Sequence, residues 1–195
     1  VMQAVFSTLF FFATIPLFDG WLLVGYATFY TMAPVFSLVL DEDVSEQTVM
    51  LFPQLYQYLQ KGRPLSAKTF SIWIFKSVYQ GGVIMWLSIA LFHEHFINIV
   101  AITFTALIFS ELLNVATEIT TWNYRMITAE LSSLALYVIS VFVLTEYFDR
   151  TFVTSASFFW KTLAITTVSC VPVWFARCIH RRIHPPLHAK IKADD

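Results

Sequence analysis

The feature that most constrains this chain is a succession of apolar stretches, each long enough to cross a lipid bilayer. A helix rises about 1.5 Å per residue, so roughly 20 apolar residues traverse a hydrocarbon core of about 30 Å. Six segments reach that length: 1–18, 21–40, 69–92, 96–119, 126–146 and 155–177. Each is about twice as long as a barrel strand and shows no sustained alternation, so helices are predicted. The expected fold is an all-α integral membrane protein, a six-helix transmembrane bundle. Composition agrees, because only 13% of the residues are charged, half the share of about 25% that keeps a soluble surface wet. A net charge of -1 leaves no basic surplus for polynucleotide phosphates, so no nucleic-acid partner is expected.

The polar residues between these segments divide the chain. Asp19-Gly20 predicts a two-residue turn, making 1–40 a tight transmembrane hairpin. Residues 41–68 form a long loop in which Leu51, Phe52, Leu55, Tyr56 and Leu59 have the spacing of a short amphipathic helix. Pro53 falls in its first turn, and Gly62-Arg63-Pro64 ends it. Residues 69–178 hold the last four spans, the first two linked by His93-Glu94-His95, and 179–195 form a basic tail. Lys61, Arg63, Lys68, Arg125, Arg177, Arg181, Arg182, Lys190 and Lys192 fall on one side. Arg150 is alone on the other, among Asp19, Glu94, Glu146 and Asp149. The positive-inside bias places the long loop and the C-terminus in the cytoplasm. The opening at Val1 lacks the basic region and cleavage site of a signal peptide. The expectation is a piece of a longer polypeptide whose N-terminal part also lies in the cytoplasm.

Polar residues within the spans are the candidate functional groups. Glu111 and Glu130 lie inside the fourth and fifth segments, where carboxylates are costly and normally face a bundle interior. They read either as an ion- or proton-relay pair or as protonated or hydrogen-bonded packing with Asn114, Ser110 or Ser133. Lys76 and Lys161 are expected to snorkel or to pair with such a glutamate. Gln3, Ser7 and Thr14 share one face of the first segment. Thr28, Thr31 and Pro34, with Tyr26, Tyr30 and Ser37, mark the second. A mid-span proline frees a backbone carbonyl and weakens the helix at membrane depth. The two sets read equally as a polar track for a hydrophilic group crossing lipid and as ordinary interhelical bonding. Gln80-Gly81-Gly82 is expected to allow close helix approach.

Other residues carry less. Cys170 and Cys178 lie eight apart on one helix, beyond disulfide reach, and read as small core residues. His180, His184 and His188 are interrupted by Pro185-Pro186 and complete no ligand set, so no metal site is expected. His93-Glu94-His95 has the wrong spacing for a zinc helix. There is no Gly-rich phosphate loop and no nucleophile elbow, so no catalytic residue is assigned.

Several local motifs form an ordered set. Residues 26–34 read Y-A-T-F-Y-T-M-A-P, 51–56 L-F-P-Q-L-Y, 61–66 K-G-R-P-L-S, 78–82 V-Y-Q-G-G and 168–172 V-S-C-V-P. With the hairpin, the long loop, four more spans and the basic tail, the chain resembles the last six membrane helices of type-four P-type ATPases, the phospholipid flippases. In particular it is similar to the subgroup of Golgi and endosomal membranes of eukaryotes that works without a separate subunit. The resemblance implies an ATP-driven translocase that moves phospholipid from the exoplasmic to the cytoplasmic leaflet. It also implies that ATP and Mg2+ are used by the parent protein and that an aspartate in a D-K-T-G motif, absent from this chain, is phosphorylated. Segments 1–18 and 21–40 would be family helices five and six, with Thr28, Thr31 and Pro34 on the wall of the head-group groove. Ala27 departs from the Asn common at that place in flippases. Expected partners are the phospholipid substrate, membrane lipids and the N-terminal part of the same polypeptide, with no accessory subunit. The short exoplasmic links offer such a subunit little surface. Two other readings are an ion-coupled carrier using Glu111 and Glu130, and a noncatalytic scaffold docking through residues 51–59.

Overall fold

A computed structural model of the chain describes residues 1–12, 15–41, 67–91, 96–119, 121–145 and 147–183. Thr14, the 51–59 helix, His93–His95, His184 and His188 lie outside them. Every regular element described is helical. They are α1 (Met2–Leu9), α2 (Gly20–Gly25), α3 (Met32–Ser37), α4 (Ala67–Leu91), α5 (Phe96–Glu118), α6 (Tyr124–Val143), α7 (Arg150–Val153) and α8 (Ala156–Ile183). A π turn over Tyr26–Tyr30 joins α2 to α3, and a 3-10 turn over Leu38–Leu40 follows. Gly20–Leu40 is thus one span-length rod.

Among the described residues, five helices are long and apolar enough to cross a membrane: Gly20–Leu40, α4, α5, α6 and α8. Segment 1–18 is not a continuous helix, which corrects the first expected span. Helix α1 ends at Leu9, and Phe11 and Phe12 take left-handed backbone angles, φ 53° and 60°. Few residues with a Cβ adopt these angles, and they stop a right-handed helix. Pro16 reinforces the break, since it has no N–H and pushes Ile15 out of the helical region. Residues 10–12 and 15–19 therefore lie outside the helices, where a two-residue turn was expected. Gln3 secures the returning strand of chain: its amide donates to the Ile15 carbonyl at 3.1 Å and accepts from the Leu17 N–H at 2.7 Å.

The other boundaries follow local chemistry. Asp19 caps α2 by accepting the Gly20 N–H at 2.6 Å, Asp149 caps α7 through Thr151, and the Ser155 hydroxyl accepts the Phe158 N–H at the start of α8. Each satisfies a donor that a helix start leaves open. Helix α5 is the centre of the bundle: 61% of its span is buried, against 22–28% for the other four. Helices α4 and α8 pack on it and on each other, α3 touches it, α6 packs along α3 and the π turn, and α1 lies on α4. Phe104 of α5 anchors an aromatic cluster with Phe18, Tyr30, Tyr137 and Phe148, at centroid distances of 5.5–6.3 Å. Outward positions carry Phe70, Phe75, Trp86, Trp160 and Leu163, the surface a bundle presents to lipid rather than water.

Candidate functional site

The Gly20–Leu40 rod holds three of the predicted site residues, and its backbone departs from a plain α-helix where they sit. The Thr31 N–H reaches the Tyr26 carbonyl, five residues back, at 3.2 Å, and the Thr31 hydroxyl donates to the same oxygen at 2.9 Å. Gly25 and Tyr30 meet across the turn, where a Cβ on Gly25 would come within 3.2 Å of the tyrosine ring. Pro34 has no N–H to offer the Tyr30 carbonyl, so the ladder is weakened just beyond the π turn as well. Thr31 and Pro34 are buried, whereas Thr28 is exposed and donates to the Val24 carbonyl at 2.7 Å. Sequence reading located the weak point from Pro34. It missed the π turn, whose only signals are Gly25 and Tyr30 five apart.

Gln3 and Ser7 come together, 3.3 Å apart on α1. Their main task is local, because Gln3 holds residues 15–17. No described hydrogen bond joins them to Thr28 or Thr31, and α1 packs chiefly on α4 while the π turn packs on α6. The predicted residues thus form two groups rather than one track. Gly81 does permit close approach, since a Cβ there would meet the Val1 side chain at 3.2 Å; Gly82 faces open space.

The intramembrane acids have a different setting from the one expected. Asn114 pairs with Gln80 on α4, exchanging two hydrogen bonds of 3.1 and 3.2 Å. Ser110 turns back onto its own helix, donating to Ala106 and Leu107 carbonyls. Neither bonds a glutamate. Glu111 lies within electrostatic reach of Tyr26, Lys76, Glu130 and Cys170. Glu130 has both carboxylate oxygens buried without a hydrogen-bond partner. Lys76 stands 4.6 Å from the Trp73 ring, and Lys161 donates to the Leu91 carbonyl at 3.1 Å. An ion pair joins Arg177 of α8 to Glu118 of α5, and sequence reading missed it because the two lie on separate helices. A cleft of about 210 Å³ between α4, α5 and α8 is bordered by Lys76, Asn114, Cys170 and Arg177. A second, about 890 Å³ and almost wholly apolar, runs between α5, α6 and α8 past Glu130. Both cysteines are free and half-buried. This arrangement sets buried polar groups and a π-turned helix among apolar spans.

Comparison with known proteins places the chain. Residues 1–186 match the family described as phospholipid-translocating P-type ATPase C-terminal. The chain belongs to that family, the phospholipid-transporting P-type ATPases. It is 51% identical over 192 residues to a probable phospholipid-transporting ATPase IIB of Bos taurus, an alignment covering 98% of this chain and 17% of the relative. It is 48% identical to the probable phospholipid-transporting ATPase tat-5 of Caenorhabditis elegans (97% and 18% covered). It is 46% identical to the phospholipid-transporting ATPase NEO1 of Saccharomyces cerevisiae (98% and 17%). The chain therefore spans less than a fifth of the length of these relatives.

Proposed function

We propose that this chain is the C-terminal membrane portion of an ATP-driven translocase that carries phospholipid from the exoplasmic to the cytoplasmic leaflet. The observation that carries the reading is the family match along nearly the whole chain, 1–186. The family implies ATP and Mg2+, and the reading assigns them to the remainder of the polypeptide, which supplies phosphorylation. This portion supplies helix six of the lipid path and the bundle that supports it.

Within that reading, α1 and the Gly20–Leu40 rod stand for the paired helices five and six. Thr28 lies on the outer face of helix six beside the path. Thr31 and Pro34 shape the helix behind it, and Gln3 and Ser7 steady the preceding segment. The 41–68 loop and 179–195 tail face the cytoplasm, the membrane is Golgi or endosomal, and no accessory subunit is required.

The test is reconstitution of the full-length polypeptide in vesicles with headgroup-labelled phospholipids. ATP and Mg2+ should drive labelled lipid out of the exoplasmic-equivalent leaflet, and Thr28→Trp should slow it at least fivefold by narrowing the path. If no phospholipid class moves in an ATP-dependent way, the translocase reading fails.

A further inference from the structure

The Gly20–Leu40 rod is tied at both ends to the body of the bundle. At its start, one Asp19 carboxylate oxygen caps Gly20 at 2.6 Å and the other accepts the Tyr147 hydroxyl at 2.6 Å, from the segment between α6 and α7. At its finish, Asp41 accepts both the N–H and the hydroxyl of Thr121, at 2.9 Å each, in the link between α5 and α6. Between these ties, Tyr26–Tyr30 holds one residue more than an α-helix needs. Such a π turn is an inserted residue within α geometry, and the flanking turns keep their register wherever the insertion sits. A rod tied at both ends does not tilt as a unit without breaking a tie. It can change shape by passing the extra residue along.

We infer that Thr31 is a positioning residue for transport. It holds the extra residue at Tyr26–Tyr30, and the helix alters its lipid-facing surface during turnover by shifting that residue between fixed ends. The inference rests on the translocase reading above. Thr31 is 9% exposed and both its donors are committed to Tyr26, so its hydroxyl acts through the backbone rather than on a passing head group. Gly25 gives the Tyr30 ring the space the turn requires. Pro34 interrupts the ladder just beyond it.

Two comparisons in the full-length polypeptide test this. The first deletes single residues: Ala27 from the π turn, or Val35 from the ordinary turn after it. Deleting Ala27 should leave a monodisperse protein melting as wild type does, because α2 and α3 regain plain α register with both ties intact. Its lipid-stimulated ATP hydrolysis should fall at least tenfold. Deleting Val35 should disrupt folding by turning Asp41 away from Thr121. Wild-type turnover after Ala27 deletion, or misfolding as severe as with Val35 deletion, would overturn the inference. The second comparison is kinetic: Thr31→Val should lower kcat at least threefold with KM for lipid unchanged, and Thr31→Ser should restore it. An unchanged kcat, or a change in KM alone, would also overturn it. A wild-type protein with no lipid-stimulated hydrolysis would sink the translocase reading and with it the role in transport. The two deletions would still report, by folding alone, whether the turn holds a spare residue.

Discussion

Gln80 and Asn114 pair across the α4–α5 contact, each amide donating to the other's oxygen, and Gln80 Nε2 also reaches Cys170 Sγ at 3.9 Å. A buried amide that loses its partner in lipid has no water to turn to. Replacing Gln80 by Leu should lower stability by about 0.6 kcal/mol and by no more than about 1.7 kcal/mol, the average and the maximum measured for interhelical hydrogen bonds in a membrane protein. Gln80→Leu with Asn114→Leu should lose less than the sum of the singles, because no amide is then stranded. Thermal melts of the full-length protein in detergent read both values, and strict additivity would show that the pair is not coupled. Sequence reading listed Asn114 and the Gln80 run separately and sent Asn114 toward the glutamates. Spacing along one helix orders residues on that helix, but the facing helix selects the partner. The same limit hid Arg177–Glu118.

Elements were legible in proportion to their length. Helices α4, α5, α6 and α8 lie within a few residues of the expected spans, except that α8 runs on to Ile183, because long apolar runs state themselves. The first segment was misread since hydropathy counts apolar residues without asking about their backbone, and Phe10–Phe12 and Pro16 are apolar while they break the helix. The π turn was equally hidden, as one extra residue changes no composition. The contact of α1 with α4 gives a test at this scale. Gly81→Leu should push α1 off, since even a Cβ there meets Val1 at 3.2 Å, whereas a Cβ on Gly82 meets nothing within 4 Å. Gly82→Leu should be neutral or stabilise by up to about 1 kcal/mol through helix propensity. Limited proteolysis near residues 10–19 in the full-length protein should rise for Gly81→Leu alone; equal cleavage of both variants would mean that α1 does not depend on Gly81.

The whole molecule was predicted in kind, a helical membrane bundle, and its family came from motif order; the arrangement of helices around α5 did not. All five spans are strongly apolar, so composition gives no sign of which one the others surround. Orientation is testable directly. In a Cys170→Ala, Cys178→Ala background, Lys68→Cys should react with an impermeant maleimide only from the cytoplasmic face of sealed vesicles, and Arg150→Cys only from the opposite face. Labelling of both from one side would reverse or dismiss the topology derived from the basic residues.

The central position of α5 has a consequence for how the protein is made. Helices leave the ribosome in order, so α5 enters the membrane before α6 and α8 exist to cover it. Its inward hydroxyls are prepared for that interval: Thr103, Thr105 and Ser110 each donate to a carbonyl one turn back, at 2.6–2.7 Å. Gln80 already waits on α4 for Asn114. The helix can therefore enter lipid with these hydroxyls bonded, while Glu118 still waits for Arg177 and for the packing that α8 brings. A premature stop codon anywhere ahead of α8 leaves that face permanently open, and such a product is a substrate for membrane quality control before it is ever a defective transporter.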